Sequence, residues 1–366
     1  MDSFRHLLFP SNWSVSTIPM ISDLKASFTR LVMVIGAAAC GATHAQSTTA
    51  QVYGRIDVGL QHTDSDNSKA SKTLEVESGG RTASRLGFRV KEDLGAGLSL
   101  QAVLESGINA DSGGIQGNGF FSRESSLTLN SPFGSLSLGR AGSFGSGSGS
   151  FDMVDKLGAF GSSWGDAALF TTGRVNNAII YVSPRGGGFQ GGVLHSLSIF
   201  EPEAAPKDRN VHLTSVGVNY DTQPFYAAVV YEVVNNPPGR RPNESHLVGG
   251  VRWDAGPVRL YAAYMRSKNQ FKDGVGTDGP DSRQYHLGAS MTLFARGQLL
   301  IGIQKVDGER DGKTENDELR LSFGYEHDLS NRSSLYLGLT DRQGKRSLMG
   351  KVDDRRRVFA GIVHQC

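Results

Sequence analysis

From Gln46 onward the chain repeats one pattern: about ten residues of alternating apolar and polar side chains, then a turn or a loop. Val52, Gly54, Ile56, Val58 and Leu60 fall on one face of the first segment, and Tyr53, Arg55, Asp57, Gly59 and Gln61 on the other. Successive side chains of a strand point to opposite faces, so this segment has a greasy side and a charged side. Leu86, Phe88 and Val90 repeat the apolar face, as do Leu98, Leu100, Ala102 and Leu104, and Val358, Ala360 and Ile362. The connectors alternate, short and then long. Together these features predict a transmembrane antiparallel β-barrel, apolar outside and polar inside, and a barrel with a charged lumen is a pore.

The rhythm predicts sixteen strands, near 50–63, 82–93, 96–108, 120–130, 134–141, 176–183, 189–200, 211–220, 225–235, 245–254, 257–268, 282–294, 297–308, 316–328, 332–343 and 353–366. An even count suits a single-chain bacterial barrel, and it exceeds what one soluble sandwich needs. The short turns carry residues that turn for physical reasons, as in Asp93-Leu94-Gly95-Ala96-Gly97 and Ser131-Pro132-Phe133-Gly134. Glycine supplies positive φ, proline fixes φ and aspartate bonds its own backbone. The long connectors are polar: 64–81, 109–119, 201–210, 236–244, 268–281, 309–315 and 344–352. The third long loop, 142–175, is longer than any of these, and a loop of that length in a compact domain is usually functional.

Net charge is +2, so no basic bias points to nucleic acid. The negative mean hydropathy leaves a barrel open, because alternation averages out. Residues 1–45 read as a cleaved signal peptide: Lys25 and Arg30, a short apolar stretch from Leu31 to Ala39, and small residues ending at Ala45. Met20 is an alternative start, because 1–19 do not resemble a signal, and a lipoprotein reading of Cys40 is disfavoured by Ala37. Residues 46–366 then form one barrel domain. Of the two cysteines, Cys40 and Cys366, cleavage leaves one, so no internal disulfide is expected.

Strand parity sorts the charges. Arg55, Asp57, Arg85, Arg89 and Glu105 fall opposite the apolar faces, and Arg140 ends the fifth strand just before the long loop. Arg55, Arg85 and Arg140 would form a basic wall. Asp152, Asp155 and Asp166 would face it if the loop folds into the lumen, with Lys156 offsetting one of them. Opposed charges across a narrow aqueous passage create a transverse field and set ion selectivity. The arginines outnumber what the loop offsets, which predicts a mild preference for anions.

Other motifs carry less. Gly161-Ser162-Ser163-Trp164-Gly165 matches a nucleophile elbow, but it lies in the loop without the strand and helix that motif needs. Asp307, Asp311 and Glu318 approach a calcium-loop spacing, yet their flanks are strands, and a solvated outer loop is the better reading. The histidines show no metal-ligand spacing, so neither a metal nor a cofactor is expected. The competing classes are a barrel enzyme of lipase or protease type, which needs an assembled Ser/His/acid set, and a plugged structural or adhesin barrel.

Several stretches carry a resemblance: Val52 to Gly59 (VYGRIDVG), Ser84 to Phe88 (SRLGF), Glu92 to Leu98 (EDLGAGL), Leu104 to Gly107 (LESG), Phe133-Gly134 through Leu138-Gly139-Arg140, and Asn176 to Pro184 (NNAIIYVSP). The chain resembles the general diffusion porins of Gram-negative outer membranes, especially their β-proteobacterial branch. The resemblance implies a sixteen-stranded homotrimer with the third loop folded into each pore. It places the family's basic wall on Arg55, Arg85 and Arg140, and a lumenal glutamate on Glu105. It also implies passive passage of ions and small polar solutes. The implied surroundings are outer-membrane lipid and lipopolysaccharide, with recognition of the last strand by the barrel-assembly machinery. The family usually ends in an aromatic residue, whereas this chain ends Val363-His364-Gln365-Cys366. The run Arg355-Arg356-Arg357 reads as a solvated strand start within reach of lipopolysaccharide phosphates.

Overall fold

The computed structural model describes residues 47–65, 72–160, 171–199, 209–237, 242–270, 281–310, 313–344 and 354–366. The first nine strands are β1 (Thr48–Ser65), β2 (Lys72–Ser78), β3 (Arg85–Gly95), β4 (Leu98–Asn109), β5 (Gly114–Gln116), β6 (Glu124–Ser131), β7 (Gly134–Gly142), β8 (Arg174–Val182) and β9 (Phe189–Ser196). The remainder are β10 (His212–Thr222), β11 (Phe225–Asn235), β12 (Glu244–Ala255), β13 (Val258–Lys268), β14 (Asp281–Leu293), β15 (Gly297–Arg310), β16 (Lys313–Asp328), β17 (Ser333–Gly344) and β18 (Arg355–Gln365). All are joined by antiparallel ladders, and β18 pairs back onto β1 from Arg55↔Gln365 to Ser65↔Arg355. The sheet is closed. Backbone bonds between Gly54 and Cys366 finish the seam at its lower end.

Two barrel positions are filled by split strands, so the eighteen stretches make a sixteen-stranded barrel. Both β2 and β3 pair with β1, β2 along Val58–Asp64 and β3 along Thr48–Arg55. Likewise β5 and β6 share the position beside β4. The structure corrects the sequence reading here. The stretch 64–81, expected as a loop, contains β2, whose Leu74 and Val76 continue the exposed apolar face. Conversely, 82–84 and 120–123, expected as strand, lie in the breaks.

Alternation places the apolar residues outside. Leu60, Leu138, Val229, Leu287, Ile301 and Leu337 are each roughly half exposed or more, which in a soluble sheet would be costly and in lipid is the stabilising arrangement. Closure leaves no edge with unpaired backbone groups in the hydrocarbon. Aromatic pairs stand at both rims: Phe225–Trp253 and Phe189–Tyr220 near the short turns, and Tyr264–Tyr285 toward the long loops. At the short turn after β3, Gly95, Ala96 and Gly97 all have positive φ, and Asp93 Oδ1 accepts from the Gly95 N–H at 2.9 Å.

The best-packed apolar cluster lies inside the barrel. Phe144, Met153, Val154 and Leu157 of the long loop pack on the inner wall of β8 to β13, against Ile180, Leu194, Leu213, Val230, Val248 and Met265. Phe144 and Leu157 are fully buried there. Gly192 and Gly217 make the close approach possible: a Cβ on either would meet Phe144 or Met153 well inside van der Waals contact.

Candidate pore constriction

Two inward structures narrow the lumen. The first is the long loop after β7. Its described parts, 143–160 and 171–173, include a short 3-10 turn at Asp155–Leu157. Glu232 of β11, fully buried, holds it from below. Glu232 accepts from the N–H of Gly145 at 3.2 Å, the N–H of Thr172 at 3.1 Å, and the hydroxyls of Thr171 and Ser215 at 2.5 and 2.9 Å. The Tyr226 hydroxyl donates to the Met153 carbonyl at 2.7 Å. On the opposite side the Ser150 hydroxyl reaches both carboxylate oxygens of Glu124 on β6, at 2.9 and 2.8 Å. The loop is thus tied to two separate parts of the wall.

The second is the break between β2 and β3, residues 79–84, which turns inward at Gly79 (φ 85°). Asp57 pins it. The N–H groups of Arg81 and Thr82 donate to Asp57 Oδ2 at 2.9 and 2.6 Å, and the Tyr336 hydroxyl donates to Oδ1 at 2.7 Å. Asp57, expected as a lumen charge, does face inward, but this segment covers it and leaves it fully buried. It is an anchor rather than a pore lining.

The pinned segment presents the arginines. Arg55 and Arg85 stand directly opposite each other on β1 and β3. Both donate to the Thr82 hydroxyl, at 3.1 and 3.0 Å. Arg81 forms a two-pronged ion pair with Glu326 of β16. Arg85 lies 3.8 Å from Glu105, which accepts more closely from Arg123 at 2.6 Å and from the Tyr53 hydroxyl at 3.1 Å. Arg89 sits over the Tyr53 ring at 4.9 Å, further toward the short-turn end.

Between the two structures is a cavity of about 460 Å³. Its charged lining is Arg55, Arg81, Arg85, Lys156, Arg252 and Arg259 against Asp152, Asp155 and Glu326, six cations to three carboxylates. Lys156 is drawn to Asp221 at 2.7 Å, and Arg252 to Asp254 at 2.9 Å. Asp152, in the loop, accepts from the N–H groups of Gly147 and Asp155, each at 2.7 Å. Burial nevertheless pushes its carboxyl up to about 7. A second cavity of about 680 Å³ carries Arg85, Arg123, Arg140 and Arg174.

The structure therefore brings Arg55, Arg85, Asp152 and Asp155 to one passage and leaves Arg140 in the adjoining cavity. There Arg140 donates to the Ser122 carbonyl at 2.7 Å and to Asn176. Asp166 and the Gly161 to Gly165 motif lie outside the described residues. So does Asp311. Asp307 and Glu318 do not converge: Glu318 stands opposite Val306 on the inner face, while Asp307 stands opposite Asp317 on the outer. Glu318 instead binds Arg320 at 2.7 Å and Asp307 binds Lys305 at 3.1 Å.

Sequence reasoning missed Arg81, Glu326, Arg123, Arg252 and Arg259 as lining groups. Parity alone would have found Glu326, opposite Leu321 and Phe323, and likewise Arg252 and Arg259. Parity places Arg123 outside, with Leu127 and Leu129; it turns inward only because β6 begins one residue later.

The comparisons agree with this architecture. A family model described as Gram-negative porin matches residues 31–347. An outer membrane porin of Bordetella pertussis is 28% identical, over 84% of this chain and 92% of that protein. Outer membrane porin protein 32 of Delftia acidovorans is also 28% identical, over 91% of this chain and 94% of that protein. Among solved structures, an anion-selective porin from Comamonas acidovorans superimposes with a TM-score of 0.68 at 22% identity, covering 87% of this chain and 100% of that one. A closed sixteen-stranded barrel with a charged lumen, matched by the porin model over most of its length, belongs to the Gram-negative porin family and is a passive channel of the outer membrane.

Proposed function

We propose that the passage between residues 79–85 and the long loop is the selectivity constriction of this channel, and that it favours small anions over cations. The observation that carries this is the lining itself, six cationic side chains against three carboxylates. Solvent inside a narrow passage screens poorly, so the excess acts on each ion in transit. Arg55, Arg81 and Arg85 supply the basic wall, with Arg140 contributing from the adjoining cavity. Asp152 and Asp155 supply the acidic edge and set the transverse field. Asp166 belongs to the same loop by sequence. Arg89 and Glu105 line the lumen beyond the passage. The reading is of a passive channel without chemistry of its own, which the family membership supports.

The same reading includes a homotrimer, a cleaved leader through Ala45, insertion through the last strand by the assembly machinery, and contact with lipopolysaccharide at the outer rim. It is supported by the family membership and by the apolar outer face.

The zero-current potential of the purified channel across a tenfold KCl gradient tests the selectivity. A potential of the sign set by chloride is the expected result, and one of the sign set by potassium would overturn the assignment.

A further inference from the structure

The outer face carries charges as well as apolar side chains. Arg266 of β13 and Arg283 of β14 share the outward parity of Tyr264 and Tyr285, are exposed, and stand directly opposite each other. Neither guanidinium has a hydrogen-bond or ion-pair partner among the described residues. Like charges directly opposite one another destabilise a sheet, so an anion held between them would be stabilising. Lys268, also exposed, continues the set one step further along β13.

Two other outward cations on this side of the barrel are paired: Lys305 lies 3.1 Å from Asp307, and Arg356 lies 3.7 Å from Asp341. The carboxylates nearest the two arginines are Asp281 and Asp307. Asp281 accepts from the Asn269 N–H at 3.0 Å. Asp307 stands opposite Arg283, yet its close contact is Lys305. Asp317 lies one strand further on, opposite Asp307.

Depth in the membrane says what such a pair can meet. The arginines lie two residues beyond Tyr264 and Tyr285, whose ring centroids are 5.3 Å apart. Tyrosines of that kind mark the boundary between hydrocarbon and headgroups. Two residues are about 7 Å of strand, or about 5 Å along the membrane normal at a 40° tilt. The headgroup layer is about 5–7 Å deep on each side of the hydrocarbon. The long connector 268–281 joins the two strands at this end, so the layer is the extracellular one.

Below the tyrosines the same face opens into a groove. Ala289 leaves room among Leu287, Ile301, Ile303, Leu321 and Phe323, giving an apolar cavity of about 460 Å³. It begins four residues below Arg283, about 13 Å along the strand. An anion site at headgroup depth thus stands over an apolar hollow at acyl-chain depth.

We propose that this face of β13 to β16 is a binding site for lipopolysaccharide, the phosphorylated and multiply acylated glycolipid of the outer leaflet. Arg266 and Arg283 hold a phosphate, and the groove takes one acyl chain. Guanidinium forks match paired phosphate oxygens in geometry. The site gives the outer-rim contact a definite place and rests on the outer-membrane reading, but not on the assignment of the constriction.

Fluorescently labelled lipid A carrying its phosphates, titrated onto the detergent-extracted channel, tests it. Wild type is expected to bind saturably. Arg266→Gln and Arg283→Gln should each weaken binding about tenfold, as expected for a lost charge-assisted hydrogen bond. Arg266→Lys, which keeps the charge, should fall between and separates lost charge from lost fold. Ala289→Phe, which fills the groove, should also weaken binding and leave the oligomeric state as in wild type. Arg356→Gln, outward but paired with Asp341, should bind like wild type. Unchanged affinity in both glutamine variants, or an equal loss in Arg356→Gln, overturns the site. Full displacement of the lipid by millimolar inorganic phosphate would reduce it to a free-phosphate site and overturn the lipid assignment. A changed oligomeric state in Ala289→Phe with lipid binding intact would give the groove to a second copy instead. A wild type that conducts in planar bilayers but does not bind lipid A removes only this site, whereas one that forms no channels removes the reading beneath it.

Discussion

Arg55 and Arg85 face each other across neighbouring strands, and one threonine hydroxyl accepts from both. Two like charges in that position repel, and the arrangement persists because Asp57 fixes the backbone that carries Thr82. Arginine stays charged at any physiological pH, so this wall cannot be titrated away. Asp152 can be. Its carboxyl, pushed up to about 7 by burial, is neutral below that value and negative above it. Raising the pH from 6 to 8 therefore adds a negative charge to a passage lined mainly by cations, and anion preference should fall. Zero-current potentials measured across that range should show the change in wild type. In Asp152→Asn they should stay flat, at the wild-type value of the acidic side. Equal pH dependence in the two proteins would contradict the role given to Asp152. At this scale the sequence was legible where alternation held, as for Arg55, Arg85 and Glu105. It misled where the chain left the strand. Asp57 has inward parity but is covered by residues 79–84, and Arg81 sat in a stretch that reads as loop.

The elements that narrow the pore are two irregular segments held by buried carboxylates. Glu232 gathers four donors from the long loop and β10, and Asp57 gathers three from residues 81–82 and β17. Replacing either removes the acceptor from several buried donors at once, each worth about 1–3 kcal/mol when left unsatisfied. Glu232→Ala should loosen the loop without opening the barrel. Limited proteolysis should then cut within 143–173, and open-channel current noise should rise, while strand content by circular dichroism is unchanged. A loop as resistant as wild type would show that the apolar seat of Phe144 and Leu157 suffices alone. Asp57→Ala should release residues 79–84 and raise single-channel conductance, whereas an unchanged conductance would mean that the segment does not narrow the pore. Strand rhythm was readable because period-two alternation and turn chemistry are local. The breaks at 79–84 and 117–123 were not readable: what holds the first is Asp57, which accepts from the N–H groups of Arg81 and Thr82, 24 and 25 residues away, and the pairing of Arg81 with Glu326, 245 residues away.

For the whole molecule, an apolar outer face and a polar inner one reverse the order of a soluble protein, and the best-packed core lies between a loop and a wall. Such a barrel is stable only in lipid or detergent, and the family reading adds assembly as a trimer. Extracted in mild detergent without heating, the protein should migrate as a heat-modifiable trimer rich in β-structure; migration as a stable monomer would remove the trimer and leave the barrel. The central claim is that Arg55 and Arg85 stand at the selective point of the channel. Zero-current potentials of Arg55→Ala and Arg85→Ala in a KCl gradient test it most directly. Each should shift toward cation preference at low salt, and the shift should shrink near 1 M, where the screening length is about 3 Å. Potentials that match wild type for both substitutions at low salt would contradict the claim.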